Sequence, residues 1–137
     1  MTSMQLVEAA RRLVGTPFRL HGRDPRTGVD CLGLVIAALD MIGARTVTPR
    51  GYGLRQTSIT NLLPFARDNG FQPVVGRAEL GDLILFALPA AQHHIAITLV
   101  GKRIIHAHAG LRRVVEGMPG SDWRIERIWR HSLQSKE

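Results

Sequence analysis

The sequence predicts an α+β domain in which N-terminal helices pack on a C-terminal antiparallel sheet of about five strands. Apolar residues recur at helical spacing in the first half of the chain, whereas short apolar or alternating runs fill the second half. Helices followed by a strand meander are typical of the α+β class. The 137 residues, of which 45% are hydrophobic and 21% charged, suit one globular domain over residues 1–137.

Two helices are predicted before residue 45. The first covers residues 3–14 and ends at Gly15-Thr16-Pro17. The second begins after Asp30, which is suited to be its N-cap, and ends before Gly43, which is suited to the C-terminal cap. Because this second segment is apolar on nearly every side, we expect it to be buried.

A third helix and five strands are predicted in the rest of the chain. Thr57 or Ser58 is the predicted cap of the helix, which ends near Asp68. Proline and glycine residues at turns separate the strands that follow. The strands are expected at residues 82–88, 93–100, 103–109, 113–116 and 125–129.

The chain is strongly basic, with 18 Lys and Arg against 11 Asp and Glu and a net charge of +7. Such a charge favours an anionic partner, for example nucleic acid or a cell-wall polymer. The cations are scattered, however, and aromatic residues make up only 5% of the chain, so no stacking platform for single strands is indicated. We therefore expect no nucleic-acid partner.

Targeting signals and cysteine usage narrow the function further. No stretch of about 18 apolar residues is present, so we expect no membrane partner. Residues 1–14 lack the apolar core of a signal peptide, which predicts cytoplasmic synthesis. The single cysteine excludes an internal disulfide and any zinc site that needs two thiolates from one chain.

That cysteine is the first candidate for chemistry. Cys31 lies in the first turn of the second predicted helix, where unpaired backbone N–H groups and the helix dipole favour a thiolate. A lone cysteine is more often an inert core residue, but a core position does not require a helix start after a glycine-containing loop. We predict a nucleophile whose thiol pKa is lowered by the helix N-terminus and by His94.

A thiolate nucleophile needs a base nearby, and the pair His93-His94 offers the first candidates. His94 shares a strand face with Ala96 and Thr98, whereas His93 lies on the opposite face. Because its neighbours are small, the face of His94 is predicted to be the one that the Cys31 helix approaches.

His106 and His108 share one face of the next predicted strand. A three-residue loop at residues 100–102 places His94 opposite His108 and diagonal to His106 on the same sheet face. A two-residue loop reverses that parity, and the sequence pattern leaves both loops open.

Five motifs follow one another along the chain: Gly15-Thr16-Pro17-Phe18, Asp30-Cys31-Leu32-Gly33-Leu34-Val35, Leu80-Gly81-Asp82-Leu83-Ile84-Leu85-Phe86, His94-Ile95-Ala96-Ile97 and Ile105-His106-Ala107. In this order they resemble the NlpC family of papain-like cell-wall peptidases, and the resemblance covers nearly the whole chain. The 12-residue separation of His94 and His106 fits the gap between two histidines that is usual in this family. The Cys-Leu-Gly-Leu variant, and the ending Val114-Val115-Glu116 followed by Trp123-Arg124, are closest to phage-type members, which accompany tail or gene-transfer-agent genes.

The resemblance implies a papain-like fold and hydrolysis of peptidoglycan stem peptides, commonly at the D-γ-glutamyl–diamino acid bond. By position, Cys31 is the nucleophile, His94 the general base and His106 the residue that orients His94. Asp30 matches a residue that lines the substrate cleft in related enzymes, and Phe18 replaces a tyrosine whose hydroxyl often reaches the active site. No metal or organic cofactor is required. The implied partners are bacterial peptidoglycan and phage tail proteins, with delivery in a virion or tail particle.

Departures from the family pattern and rival functions stay open at this point. Phe18 and Leu32 stand where the family usually has tyrosine and serine, and both changes remove polar contacts to substrate. One rival is a catalytically inactive tail or assembly component, against which the retained cysteine and histidines argue. Others are a thiol amidase or acyltransferase on another substrate, and a metal site. The metal site would use Cys31, His94, His106 and His108.

Overall fold

Helices cover one face of an antiparallel sheet in the computed structural model, which describes residues 3–47 and 62–132. The helices are α1 (Ser3–Arg12), α2 (Cys31–Met41) and α3 (Leu62–Asp68). The described strands are β1 (Arg23–Asp24), β2 (Gly28–Val29), β3 (Phe71–Pro73), β4 (Leu83–Leu88), β5 (Gln92–Thr98), β6 (Ile104–His108), β7 (Arg113–Gly117) and β8 (Arg124–His131).

The predicted α+β class is confirmed, with one strand more than expected. In the described ranges the main sheet has six strands in the order β3-β8-β4-β5-β6-β7, and every neighbouring pair is antiparallel. Strands β4 to β8 correspond to the five predicted strands. The additional strand β3 pairs with the end of β8, from Phe71 opposite His131 to Pro73 opposite Trp129. The predicted caps Thr57 and Ser58 lie outside the described residues.

The loop between α1 and α2 contains the small hairpin β1-β2, a region that the sequence indicated only as irregular. Before it, residues 15–18 run along the outer edge of β7. The amide of Phe18 donates to the carbonyl of Arg112 at 2.9 Å, and that of Val114 donates to the carbonyl of Thr16 at 2.8 Å. These bonds fix Phe18 at the end of the sheet where the histidines lie.

Helix α2 packs on the face of β5 that carries Ile95 and Ile97, so the predicted face, with Ala96 and Thr98, was wrong. Ile95 and Ile97 are fully buried in the same core cluster as Cys31. Larger aliphatic side chains remove more apolar surface from water, and this outweighs the closer approach that small residues allow. The opposite face is covered by loops, with Ala96 in a smaller apolar cluster.

Strands β5 and β6 part before they reach the histidines. The turn has three residues, Val100–Lys102, which is one of the two lengths that the sequence left open. Ile97 pairs with Ile105 and Thr98 with Ile104. Strand pairing between β5 and β6 within the described residues is confined to these two positions. The strands therefore separate toward His94. The N-terminal end of α2, with Cys31, lies at the cleft that His94 and His106 also line. None of the helices in the described ranges is long and apolar enough to cross a membrane.

Candidate active site

The cysteine is held at the first turn of α2 by the cap that the sequence predicts. The carboxylate of Asp30 accepts a hydrogen bond from the amide of Gly33 at 2.9 Å, and its carbonyl accepts from Leu34 at 2.8 Å. Cys31 follows directly and is 5% exposed. The first amides of a helix have no intrahelical partner, so those that the cap leaves free point toward the open end of α2, whereas that of Gly33 is occupied by Asp30.

Asp30 also ties the preceding loop to the helix. Its second carboxylate oxygen accepts from the amide of His21 at 2.9 Å, and the first also accepts from the guanidinium of Arg23 at 3.0 Å. The loop approaches α2 so closely that a Cβ on Gly33 would lie 2.0 Å from the carbonyl oxygen of Gly22. Only glycine fits there, which explains the glycine two residues after the cysteine.

The two predicted catalytic histidines are in contact. Nε2 of His94 and Nδ1 of His106 lie 2.8 Å apart, at hydrogen-bond distance. Their ring centroids are 5.0 Å apart at an interplanar angle of 78°. His106 is buried, so this bond is largely withdrawn from bulk water.

His108 is engaged elsewhere, although the register of β5 and β6 runs toward a pairing with His94. The Nδ1 atom of His108 accepts a hydrogen bond from the amide of Leu111 at 3.0 Å, in the turn after β6. Its ring is tilted by 53° against that of His106, with the two centroids 5.5 Å apart. The diagonal neighbour His106, and not the direct one, therefore contacts His94.

Trp123, in the loop before β8, lies over the histidine pair. Its ring centroid is 5.5 Å from that of His94 and 5.6 Å from that of His106, at interplanar angles of 70° and 87°. Phe86 of β4 packs against the same indole at 5.3 Å. The sequence pattern did not single out Trp123 as a site residue, since nothing in a loop tryptophan indicates which rings it will meet.

These side chains surround one cleft of about 380 Å³. All five residues predicted for the site line it: Cys31, His94, His106, Asp30 and Phe18. The structure therefore brings together residues that are as far as 88 positions apart in the chain. Further lining residues that sequence reasoning did not assign to the site are Leu20, Leu88, Gln92, His93, His108 and Trp123.

A bulge in β8 brings a carboxylate to His93, one of these further lining residues. The pairing of β4 with β8 shifts after Leu85, which leaves Glu126 between the partners of two successive β4 residues. Its carboxylate lies 3.3 Å from Nε2 of His93. Bulges of this type redirect a side chain, and such a bulge is not recognisable from the alternation of the strand.

The electrostatics of the site contradict the expected activation of the thiol. Burial raises the pKa of Cys31 to about 12, and the negative charge of Asp30 adds to the rise. The amides of Ile95 and Leu32, together with Arg23, oppose it. A desolvated position disfavours the thiolate more than these groups favour it.

The histidines are held neutral by the same cause. Burial lowers the pKa of His94 to about 3, and the neighbouring imidazoles of His106 and His108 lower it further. Burial, followed by His108, lowers the pKa of His106 to about 4. The resting site near neutral pH therefore contains a thiol and two neutral imidazoles. Within residues 3–47 and 62–132, no group of three or more His, Cys, Asp or Glu is arranged to hold a metal ion.

Comparison with known proteins identifies relatives of this chain. A family model described as the NlpC/P60 family matches residues 15–131. Protein P54 of Enterococcus faecium is 29% identical over 102 residues, which are 74% of this chain and 17% of that protein. The chain thus spans less than a fifth of the length of this curated relative.

Solved structures share the fold over most of the chain. The NlpC/p60 domain of the peptidoglycan hydrolase SagA is 27% identical with a TM-score of 0.60, over 86% of this chain and 90% of that one. The peptidoglycan hydrolase RipB of Mycobacterium tuberculosis is 19% identical with a TM-score of 0.61, over 93% and 63%. RipD of the same organism, a non-catalytic NlpC/p60 domain protein, is 15% identical with a TM-score of 0.58, over 93% and 95%.

Proposed function

Because the chain belongs to the NlpC/P60 family, we propose that it is a cysteine peptidase that hydrolyses peptidoglycan stem peptides, at the D-γ-glutamyl–diamino acid bond. The observation that carries the proposal is the shared cleft of Cys31, His94 and His106, in which the two imidazoles lie 2.8 Å apart. A nucleophile, a base and a group that orients the base are what acyl transfer through a thioester requires.

The hydrogen bond between the histidines assigns a role to each nitrogen of His94. Its Nε2 atom is engaged with His106, so Nδ1 is the nitrogen left to take the proton of the thiol. In the proposed tautomer, Nε2 of His94 donates to Nδ1 of His106, whose own proton is then on Nε2. His106 acts as a positioning residue that fixes the ring of the base.

The reaction then proceeds in two halves. The thiol of Cys31 loses its proton to Nδ1 of His94 as the sulfur attacks the amide carbonyl, because a thiolate is not favoured in the resting site. The first amides of α2 face the oxyanion, with that of Cys31 as the first donor. The protonated His94 then gives its proton to the leaving amine, and water hydrolyses the thioester with His94 as base.

A non-catalytic role is the principal alternative, since RipD shares the fold without catalysis. The contact of His94 with His106 in the cleft that Cys31 also lines favours an enzyme, because a binding domain does not need a hydrogen-bonded imidazole pair in the same cleft as a cysteine. A thiol amidase or acyltransferase would use the same three residues on another substrate. Only the identity of the bond that is cut distinguishes these enzymes.

Association with a phage tail or a gene-transfer agent, and delivery in such a particle, stays a prediction. It depends on the Cys31-Leu32-Gly33-Leu34 variant and on the ending Val114-Val115-Glu116 followed by Trp123-Arg124. The protein should then co-sediment with purified particles from the producing cells, and antibodies against it should label the tail. Its absence from purified particles would refute this part of the proposal.

Digestion of purified sacculi and of a synthetic stem tetrapeptide, followed by mass spectrometry, tests the enzymatic proposal. Wild-type protein should release fragments cut after the D-γ-glutamyl residue, and Cys31→Ala should lose activity by several orders of magnitude. His131→Gln is the matched control. His131 is also buried, but it lies at the C-terminal end of β8, away from Trp123, and it does not line the cleft. Folded wild-type protein that leaves both substrates intact, or a Cys31→Ala variant with more than a few per cent of the activity, would refute the proposal.

A further inference from the structure

The indole of Trp123 forms one side of the environment of the histidine pair. It contacts both rings edge to face, at 5.5 Å from His94 and 5.6 Å from His106, and it also lines the cleft. A single side chain that touches both partners of a hydrogen bond can fix the angle between them. It also excludes water from one side of the bond.

The position of this indole is itself determined by its loop. The amide of Trp123 donates to the carbonyl of Gly120 at 3.1 Å, which closes a turn. A Cβ on Gly120 would lie 2.6 Å from Nε1 and 2.8 Å from Cδ1 of the indole, closer than real Cβ contacts. Phe86 packs on the indole from β4. The indole is therefore held between the Gly120 turn and Phe86, and its position beside the histidines depends on this loop.

We propose that Trp123 is a positioning residue, whose indole keeps the His94–His106 hydrogen bond dry and holds the two rings at their observed angle. The reaction that this would serve is the proposed peptidase reaction, on which the inference rests. The effect on the two imidazoles is a property of the folded protein and does not depend on the substrate.

Exclusion of water strengthens a hydrogen bond and disfavours charge on either partner. Among the described residues that line the cleft, the other titratable groups besides the Cys31 thiol are His108 of β6, His93 of β5 and Asp30 at the start of α2. Asp30 is paired with Arg23, and His93 faces Glu126 of β8. None of these groups is changed by a substitution at Trp123 or Gly120, so a shift in the titration of the pair reports on the indole.

The test measures the titration of the His94 and His106 ring protons by NMR, with assignments from single His→Gln variants. Trp123→Ala should raise the titration midpoint of His94 by about one pH unit or more, and Trp123→Phe by less, because water reaches the pair. Gly120→Ala should act in the same direction while the tryptophan is retained, since the new Cβ displaces the indole. Gly117→Ala is the matched control, because a Cβ at Gly117 meets nothing within 4 Å.

The activity assay separates a positioning role from a purely structural one. Trp123→Ala should lower kcat about 10- to 100-fold and move the acid limb of the pH–rate profile upward, with Trp123→Phe recovering part of the loss. Unchanged titration midpoints in folded Trp123→Phe and Gly120→Ala proteins would overturn the inference, even if both unfold at lower temperature. A wild-type protein without hydrolase activity would refute the proposed function, whereas shifted midpoints in the same samples would uphold the inference about Trp123.

Discussion

Acid should destabilise this protein through His94, and the size of the effect follows from its surroundings. Burial holds the pKa of His94 at about 3, below its ordinary value of 6.5. The unfolded chain therefore binds more protons than the folded protein as the pH falls below 6.5. The stability that His94 contributes is fully present above pH 6.5 and is lost progressively as the pH falls toward 3.

The expected magnitude is large enough to measure. At pH 4.5, two units below the ordinary value, each unit is worth about 1.4 kcal/mol, which gives at most about 2.7 kcal/mol. Because the ring keeps some contact with solvent in the cleft, we expect about 2 kcal/mol. The carboxylates titrate in the same range, so only a difference between wild-type protein and a variant isolates the histidine.

Urea unfolding of wild-type protein and His94→Gln provides this difference. The free energy of unfolding of the wild type should fall by about 2 kcal/mol more than that of the variant between pH 7 and pH 4.5. Between pH 7 and pH 8 the two proteins should differ by a constant amount, which serves as an internal control. An excess loss below about 0.5 kcal/mol at pH 4.5 would show that His94 is not held neutral by burial.

Three further predictions concern the roles of individual side chains. His106→Ala should lower the rate of hydrolysis about 10- to 1,000-fold and His108→Ala less than about 5-fold. The reason is that His106 is hydrogen-bonded to His94, whereas His108 is bonded to the turn after β6. A larger loss of kcat/KM in His108→Ala than in His106→Ala would contradict this assignment. The rate of alkylation of Cys31 by iodoacetamide should rise with a pH midpoint above that of free cysteine, whose midpoint is near 8.5, since burial disfavours the thiolate. A midpoint below that of glutathione, measured in parallel, would contradict the raised pKa of the thiol. Asp30→Ala should destabilise the fold by about 2 kcal/mol or more, as it removes a helix cap and the partner of a partly buried guanidinium. Asp24→Ala breaks an exposed ion pair and should destabilise the fold much less, so equal losses in urea unfolding would refute the role of burial.

The order of helices and strands could be predicted because periodicity is a local property. The alternation in residues 82–129 identified five strands, and Asp30 identified the start of α2. Strand β3 could not be predicted, since it has three residues, one of them Pro73, and depends on its pairing with β8. The sheet face that α2 covers was assigned wrongly, because the approach of a helix depends on how much apolar surface both faces offer.

The sequence predicted residues that the structure gathers in one cleft, but it did not predict their surroundings. The resemblance to a family selected Cys31, His94 and His106, whereas strand register alone pointed to His108. The hydrogen bond of His108 to the turn after β6 resolves this, and a turn of that kind is set by tertiary structure. The raised pKa of the Cys31 thiol was not predicted, because the helix dipole accounts only for the favourable field at the start of α2. The opposing effect, the removal of the thiol from water, depends on tertiary packing.

The narrow pairing of β5 with β6 has a mechanical consequence. It divides the sheet into two leaves, β3-β8-β4-β5 and β6-β7, that share two paired positions near the turn at Val100–Lys102. Few interstrand hydrogen bonds oppose a twist of one leaf against the other, so the core cluster that both leaves share with α2 provides most of the resistance. His94 belongs to one leaf and His106 to the other, so such a twist changes the distance between the two rings. We expect hydrogen exchange of the β6 amides near His106 to be faster than that in the centre of β4, which has a paired strand on each side.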